Sequence, residues 1–175
     1  MKPQPKLNLL YSRQQIAETV DRLAAELNRD YPGKHPVLIG VLKGSFMFLA
    51  DLIRLLDFTL EVDFVRLSSY GAGQKSSGKI RVVADLQRSV KDRDVLVVED
   101  IVDTGLTTGF LLAHLRKQKP SSLKLCTLTE KPSRRKTPVA IDYLGFTVPD
   151  KFIVGYGLDW DERFRNLPGI YVLEE

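Results

Sequence analysis

The chain has 175 residues, of which 43% are hydrophobic and 27% charged, and these values are ordinary for a globular protein with one core. No apolar run approaches the roughly 20 residues that a membrane-spanning helix needs, and the polar segment 1–6 lacks the apolar core of a signal peptide. The only cysteine is Cys126, so no internal disulfide can form. We therefore expect one domain over residues 1–175, a cytoplasmic location and no membrane partner.

The first half of the chain alternates helical and extended patterns. Ser12 and Gln15 have the spacing of a capping box, and apolar residues then recur at helical spacing, which predicts a helix over 13–29. Further predicted elements are strands at 37–41, 58–65 and 80–83 and a helix over 46–56 capped by Ser45. The glycine- and serine-rich segment 68–79 has little to pack and is predicted to be mobile.

The central segment places a cluster of acids where a buried strand meets a helix. Residues 95–98 are four apolar β-formers, followed by Glu99, Asp100 and Asp103 and then by the turn Thr104-Gly105. In open α/β sheets, ligands bind outside the carboxyl ends of the strands. Carboxylates can hold hydroxyl groups, and a helix N-terminus favours an anion. The pattern therefore predicts a site for a ribose 5-phosphate.

The rest of the chain completes an α/β pattern. The predicted elements are a helix near 107–117 and strands at 123–129, 141–146, 152–155 and 170–173. Alternating strands and helices favour a doubly wound, mainly parallel sheet flanked by helices. We expect its core at about 35–145, with a small hood formed by the N-terminal segment and about 146–175.

The segment 95–108 resembles the phosphoribosyl-diphosphate (PRPP) binding motif of type I phosphoribosyltransferases. Both have a hydrophobic run, two acids, two apolar residues and then Asp-Thr/Ser-Gly-x-Thr, and no P-loop sequence competes with this assignment. The resemblance implies the fold of that family, and it implies Asp103 as the catalytic acid/base. The residues that it implies for the ribose and the 5-phosphate of PRPP are Glu99, Asp100, Asp103, Thr104, Gly105, Leu106, Thr107 and Thr108.

Two further parts of the chain match the same family. The turn Lys43-Gly44 and the side chain of Arg165 match the groups that bind pyrophosphate, and the family often has a cis peptide bond before the basic residue of that turn. Ser69 and Tyr70 match the Ser-Tyr pair of a flexible loop that closes over the active site. Such closure would keep water from an oxocarbenium-like transition state.

The segment 149–159 resembles that of hypoxanthine-guanine phosphoribosyltransferases, and the short length together with the run 129–135 resembles the bacterial type. By this resemblance Phe152 stacks on a purine, the main chain of Ile153 reads its edge, and Lys131 hydrogen-bonds its 6-oxo group, while Asp159 belongs to the same purine site. The implied Mg²⁺ ligands are Glu99, Asp100 and Asp159. Each of these residues alone also fits a structural role, but together, in family order, they favour function.

The resemblance implies a Mg²⁺-dependent transfer of the 5-phosphoribosyl group from PRPP to N9 of hypoxanthine, guanine or both. The products would be IMP or GMP and pyrophosphate, and the family suggests a homodimer or homotetramer. The alternative is a PRPP-binding regulator on the same fold that binds nucleic acid, which the net charge of +4 and the pair Arg134-Arg135 would support. We do not expect a nucleic-acid partner, because the basic run 131–136 is short and its default interpretation is a solvated loop.

Overall fold

The computed structural model describes residues 5–69 and 80–174. Within these ranges, no helix is long and apolar enough to cross a membrane. In chain order the elements are β1 (Lys6–Tyr11), α1 (Arg13–Asp30), β2 (Val37–Leu42), α2 (Phe46–Ile53), β3 (Glu61–Ser69), β4 (Ile80–Ala84), β5 (Asp94–Val102), α3 (Leu106–Arg116), β6 (Ser122–Glu130), a 3₁₀ turn (Pro132–Arg134), β7 (Tyr143–Thr147), β8 (Ile153–Val154) and β9 (Ile170–Glu174).

The larger sheet has six strands in the order β4-β3-β2-β5-β6-β7. Strands β3, β2, β5, β6 and β7 are parallel, and β4 pairs antiparallel with β3 at one edge. The sequence-based prediction of a doubly wound, mainly parallel sheet is thereby confirmed. Because β2 and β5 are central neighbours, the turns that follow them lie side by side at the carboxyl edge, where such sheets bind ligands.

Strand β5 is buried on both faces. Leu96 and Val98 belong to the apolar cluster beneath α1 and α2, whereas Val95 and Val97 belong to the cluster beneath α3. A strand covered on both sides gains from an apolar residue at every position, which is why this strand is a continuous hydrophobic run rather than an alternating one.

Helix α1 forms as predicted. The Ser12 hydroxyl accepts from the Gln15 N–H, and the Gln15 side chain accepts in return from the Ser12 N–H, which completes the capping box. The buried face consists of the five apolar residues that the spacing indicated, which are Ile16, Val20, Leu23, Ala24 and Leu27.

The chain ends form a second sheet of three strands in the order β1-β9-β8. The sequence analysis assigned no strand to residues 6–11, which form β1. Their extended conformation follows from antiparallel pairing with β9, more than 150 positions later, a partner that no local pattern can indicate. The Tyr156 hydroxyl, just after β8, donates to Asp51 of α2 at 2.6 Å and so joins this sheet to the helix layer.

Several predicted boundaries were wrong. The alternation of apolar and polar residues at 58–65 covers residues in two different environments. Phe58 stacks on Tyr31, and the strand begins only at Glu61. Helix α2 ends at Ile53 rather than 56, since the backbone then makes i→i+3 hydrogen bonds. Ser45 does not cap α2 with its side chain; its own backbone is already helical, and its hydroxyl donates to the carbonyl of Val41.

Strands β5 and β8 also differ in length from the prediction, for reasons that the structure shows. β5 continues through Glu99 and Asp100 to Val102, because it pairs with β6 as far as Glu130. β8 is reduced to two residues, since Gly155 at φ +101° turns the chain away immediately afterwards.

Candidate active site

A cleft of about 320 Å³ lies at the carboxyl ends of β2 and β5. Three parts of the chain meet there: the turn after β2, the segment from the end of β5 into α3, and the loop after β8. Among the residues that line it are eleven of the predicted site residues, namely Lys43, Gly44, Glu99, Asp100, Asp103, Thr104, Gly105, Thr107, Thr108, Asp159 and Arg165. The fold thus brings together residues that are up to 122 positions apart.

Glu99 and Asp100 form a crowded pair of carboxyl groups. Burial raises the pKa of Glu99 well above its usual value, and the neighbouring charge of Asp100 raises it further. Burial likewise raises the pKa of Asp100 to about 6, although the Ile101 N–H donates to its Oδ1 at 2.9 Å. Two buried acids side by side disfavour full ionisation. The arrangement would therefore gain from a cation or from several hydroxyl donors.

The first turn of α3 is available for an anion. Gly105 lies at the N-cap position with φ +80° and has no side chain to cap the turn, and the Leu106 N–H makes only a long hydrogen bond of 3.4 Å to the Thr104 hydroxyl. The preceding carbonyl, of Thr104, accepts from the N–H groups of Lys136 and Thr137 at 2.8 and 3.1 Å, which fixes the loop. Thr107 and Thr108 add hydroxyl groups beside the same turn.

The turn after β2 packs directly on the acids. The Leu42–Lys43 peptide bond is cis. A Cβ atom on Gly44 would overlap the carboxylate of Asp100, and a Cβ atom on Gly157 would overlap the carbonyl of Gly44. Glycine is therefore required at both positions for three chain segments to approach this closely.

Two cations face each other across the cleft. Arg165 donates to the carbonyl of Gly157 at 2.8 Å, and its Nη2 lies 3.0 Å from Oδ1 of Asp159. Lys43 Nζ and Arg165 Nη2 lie 2.9 and 3.3 Å from the same oxygen, Oε2 of Glu162. The cleft therefore offers a cationic pair suited to a multiply charged anion.

Asp103 is paired with Arg134, a residue that was not predicted for the site. Nε of Arg134 lies 3.1 Å from Oδ1 of Asp103, and its Nη1 lies 3.5 Å from Asp150. The neighbouring Arg135 pairs with Glu130 at 3.0 Å. The basic run is a largely exposed loop around a 3₁₀ turn, with the Arg134 side chain 48% exposed, but acids of the same chain lie within ion-pair distance of both arginines.

Of the four predicted purine residues, Asp159 lines this cleft, whereas Lys131, Phe152 and Ile153 lie beyond its lining. Lys131 follows β6 and is only 4% exposed; burial lowers the pKa of its ammonium group, and the charge of Asp103 opposes that shift. Phe152 is 52% exposed although its neighbour Ile153 is buried. An aromatic side chain left in solvent beside a buried strand offers a surface for stacking. Leu106 is also exposed and does not line the cleft.

The predicted loop residues cannot be placed. Ser69 ends β3, but its side chain and all of Tyr70 lie outside the described residues, as does most of the segment 68–79. The predicted mobility of that segment and the role of the Ser-Tyr pair therefore stay predictions.

The carboxylates do not form a closed metal cage. Within the two described ranges, no three His, Cys, Asp or Glu side chains are grouped closely enough to hold an ion by themselves. Mg²⁺ commonly uses one or two protein carboxylates and completes its shell with water and substrate oxygens. The crowded pair of Glu99 and Asp100 fits that kind of site.

The sequence analysis missed two charged residues, Arg134 and Glu162. Arg134 belonged to a run that looked like surface charge, and Glu162 lies in a polar stretch without periodicity. Proximity to Arg165 was the only local signal for Glu162, since a carboxylate three positions away can reach an arginine in a tight turn.

Comparison with known proteins agrees with this geometry. Residues 8–161 match the family model described as the phosphoribosyl transferase domain. A hypoxanthine-guanine phosphoribosyltransferase of Bacillus subtilis is 49% identical over 95% of this chain and 92% of the relative. That of Aquifex aeolicus is 47% identical over 97% and 96%. A crystal structure of a hypoxanthine-guanine phosphoribosyltransferase from Bacillus anthracis superposes with a TM-score of 0.91 at 42% identity, covering 98% of this chain and all of the other.

These relatives match this chain over nearly the whole length of both sequences. The cleft is consistent with the match, because it joins the acidic end of β5 to a helix N-terminus that can bind an anion. The chain therefore belongs to the phosphoribosyltransferase family and, within it, to the hypoxanthine-guanine phosphoribosyltransferases.

Proposed function

We propose that this protein is a purine-salvage enzyme that transfers the 5-phosphoribosyl group of PRPP to N9 of hypoxanthine, guanine or both. The products are IMP or GMP and pyrophosphate. The observation that carries the proposal is the single cleft in which paired acids, an open helix N-terminus and two cations meet. These three features correspond to the hydroxyls, the 5-phosphate and the pyrophosphate of one PRPP molecule.

The 5-phosphate would bind at the start of α3. The N–H groups of Gly105, Leu106, Thr107 and Thr108 and the hydroxyls of the threonines, including Thr104, supply donors there. The positive end of the helix dipole favours the same charge. Leu106 contributes only its main chain in this scheme, which agrees with a side chain that points into solvent.

The ribose hydroxyls would bind to Glu99 and Asp100, directly or through Mg²⁺. These two carboxylates, with Asp159, would hold the ion, which when bound would neutralise charge on the pyrophosphate that leaves. The raised pKa values of the acid pair support this assignment, because a bound cation offsets their mutual repulsion. Lys43, the main chain of Gly44 and Arg165 would bind the pyrophosphate itself.

The purine would lie between the cleft and the exposed ring of Phe152. Stacking on Phe152 would provide affinity for any base, whereas the buried ammonium of Lys131 would donate to a 6-oxo group and would meet a 6-amino group, itself a donor, in adenine. Ile153 would read the purine edge with its main chain, and Asp159 borders the same site.

Asp103 would manage the purine proton. As N9 forms its bond to C1 of the ribose, the bond from C1 to pyrophosphate breaks, and the purine must lose a proton. A carboxylate near N7 can accept it. Arg134 is the counter-ion of Asp103 in this structure, and the charge of Asp103 also acts on the ammonium of Lys131, where it opposes the lowering of the pKa by burial.

Further expectations belong to the same proposal. Ser69 and Tyr70 would belong to a loop that covers the reacting groups, and the enzyme would act in the cytoplasm as a homodimer or homotetramer. The chain would be one domain, with a core at about 35–145 and a hood from its two ends. The sheet β1-β9-β8 supports the assignment of the hood.

The alternative of a nucleic-acid-binding regulator loses its main support. It depended on the net charge of +4 and on the pair Arg134-Arg135, and both guanidinium groups are paired with acids of the same chain. Arginines that are already paired offer little to a phosphate backbone.

An initial-rate assay tests the proposal. The protein is supplied with PRPP and Mg²⁺ and, separately, with hypoxanthine, guanine, xanthine or adenine. We expect turnover of 6-oxopurines and none of adenine, and the relative rates give the preference. Folded protein that binds PRPP but turns over no base would favour the regulator instead.

A further inference from the structure

The carboxylate of Glu162 occupies the cationic pair of the cleft. Its Oε2 lies 2.9 Å from Nζ of Lys43 and 3.3 Å from Nη2 of Arg165. The hydrogen bond from Lys43, followed by that from Arg165, lowers the pKa of Glu162. One carboxylate oxygen thus sits between the two cations that the proposed function gives to pyrophosphate.

The backbone presents Glu162 at this place in an uncommon conformation. Asp161, Glu162 and Phe164 have φ angles of +53°, +60° and +73°, in a region of backbone conformation that residues other than glycine seldom adopt. The Glu162 N–H donates to Oδ2 of Asp159 at 2.9 Å, and Trp160 and Arg163 exchange backbone hydrogen bonds of 3.1 and 3.0 Å. This tight turn places the Glu162 carboxylate against Lys43 and Arg165 at the edge of the cleft.

The side chain itself is free to leave. The Glu162 side chain is 63% exposed and that of Lys43 is 46% exposed, whereas that of Arg165 is only 19% exposed. Exposed ion pairs are weak, so an anion with more charge can displace the carboxylate without rearranging the buried arginine.

We propose that Glu162 is an internal competitor of pyrophosphate, a carboxylate that occupies Lys43 and Arg165 until the polyphosphate of substrate or product displaces it. This inference rests on the proposed function, since it requires that these cations bind pyrophosphate. No bond is made or broken; one set of ion pairs replaces another. Because the Glu162 carboxylate competes for the same two cations, it lowers the affinity for the product pyrophosphate and speeds its release.

The opposite role for the same residue makes a different prediction. If Glu162 only holds Lys43 and Arg165 in place for the ligand, its removal disorders the cations and weakens binding. Competition, by contrast, means that removal of the carboxylate strengthens binding. The sign of the change in affinity therefore separates the two roles.

The experiment measures binding of pyrophosphate, in the presence of Mg²⁺, to the full chain by calorimetry. Glu162→Gln keeps the shape and removes the charge, and Glu162→Ala serves as a second variant. We expect dissociation constants about three- to tenfold lower than that of the wild type, and a matching decrease in KM for PRPP. The rate of pyrophosphate release in single-turnover experiments should fall by a similar factor.

Asp161→Asn is the matched control. Asp161 is the adjacent acid in the same turn, with the same sign of φ, and its ion pair is with Arg163 at 3.6 Å. The control loses the same charge and should bind pyrophosphate within a factor of two of the wild type. In a Lys43→Met background, Glu162→Gln should lose most of its effect.

The outcomes separate this inference from the proposed function. Equal or weaker pyrophosphate binding by both Glu162 variants, with binding by the wild type intact, overturns the inference alone. An equal gain in Asp161→Asn also overturns it, because the effect is then one of general charge. Absence of pyrophosphate binding in wild type and variants alike refutes the pyrophosphate site, and the inference with it.

Discussion

Gly44 and Asp100 approach each other so closely that no side chain fits at position 44 beside the Asp100 carboxylate. A Cβ atom at position 44 would overlap Oδ2 of Asp100. Gly44 follows β2, and Asp100 lies near the end of the adjacent strand β5, so the approach is a direct result of strand order. It joins the proposed pyrophosphate turn to the proposed metal and ribose site.

Gly44→Ala should therefore damage the site more than the fold. The new methyl group must displace the Asp100 carboxylate or the turn, and misplacement of reacting groups by about 1 Å can cost about 100-fold in rate. We expect kcat/KM to fall at least about 100-fold, while the free energy of unfolding falls by about 1–3 kcal/mol. Steady-state kinetics and urea unfolding measure the two effects.

Gly33→Ala is the control for this variant. Gly33 also has a positive φ, of +70°, but a Cβ atom there meets nothing within 4 Å. It should lose about 1 kcal/mol through backbone strain and keep its activity. Activity retained by Gly44→Ala would contradict the packing on which the prediction depends.

Asp100→Asn should stabilise the metal-free protein at neutral pH. Burial raises the pKa of Asp100 from 3.8 to about 6, so between these values the folded state binds more protons than the unfolded state. Stability contributed by this group is therefore present below pH 4 and lost as the pH rises to about 6. Asparagine cannot ionise, so the variant does not lose this stability as the pH rises. Its amide oxygen can still accept a hydrogen bond from the Ile101 N–H.

We expect Asp100→Asn to exceed the wild type by about 1–3 kcal/mol at pH 7 in EDTA, with little difference at pH 4. Urea unfolding at both pH values measures this, and Asp57→Asn, an exposed aspartate remote from the cleft, should show no such pH dependence. A saturating concentration of Mg²⁺ should reduce or reverse the advantage, because the ion neutralises the wild-type acids. A variant less stable than the wild type at pH 7 in EDTA would refute the buried-acid argument.

Asp103→Asn tests the proton acceptor. The amide keeps the shape of the side chain but cannot take the purine proton, so kcat should fall by about 10²–10⁴-fold. KM for PRPP should change much less than kcat, since most of the groups predicted to bind PRPP lie elsewhere in the cleft. The control is again Asp57→Asn, and a kcat within threefold of the wild type would exclude Asp103 from this role.

Phe152→Ala tests the stacking surface. Because the ring is 52% exposed, its loss should cost under about 1 kcal/mol of stability. Stacking of a base on an aromatic ring is worth about 1–3 kcal/mol, so KM for hypoxanthine should rise about 5- to 150-fold while KM for PRPP stays within twofold. Phe110→Ala, an exposed phenylalanine of α3, is the matched control, and equal effects of the two variants would refute a specific role.

Local patterns in the sequence were sufficient for much of the fold. The spacing of apolar residues located α1, because a helix buried along one stripe has apolar residues at helical spacing. A continuous hydrophobic run identified β5 as a central strand, because a strand buried on both faces is apolar at every position. Strand β1 has no such pattern, since it depends on pairing with β9 at the other end of the chain. The start of β3 was misplaced for a related reason: Phe58 is apolar because it packs on Tyr31, not because it belongs to a strand.

For the candidate site, the sequence by itself determined the chemistry of the ligand groups. Acids after a buried strand and a glycine-threonine helix start are contiguous, so Glu99, Asp100, Asp103 and Gly105 could be found without coordinates. Only the tertiary structure decided which charges meet across the cleft. The pairs Arg134 with Asp103 and Glu162 with Lys43 join residues 31 and 119 positions apart. Such electrostatic partners depend on distances in space. Strand order and loop conformation set those distances, and the spacing of residues along the sequence does not contain them.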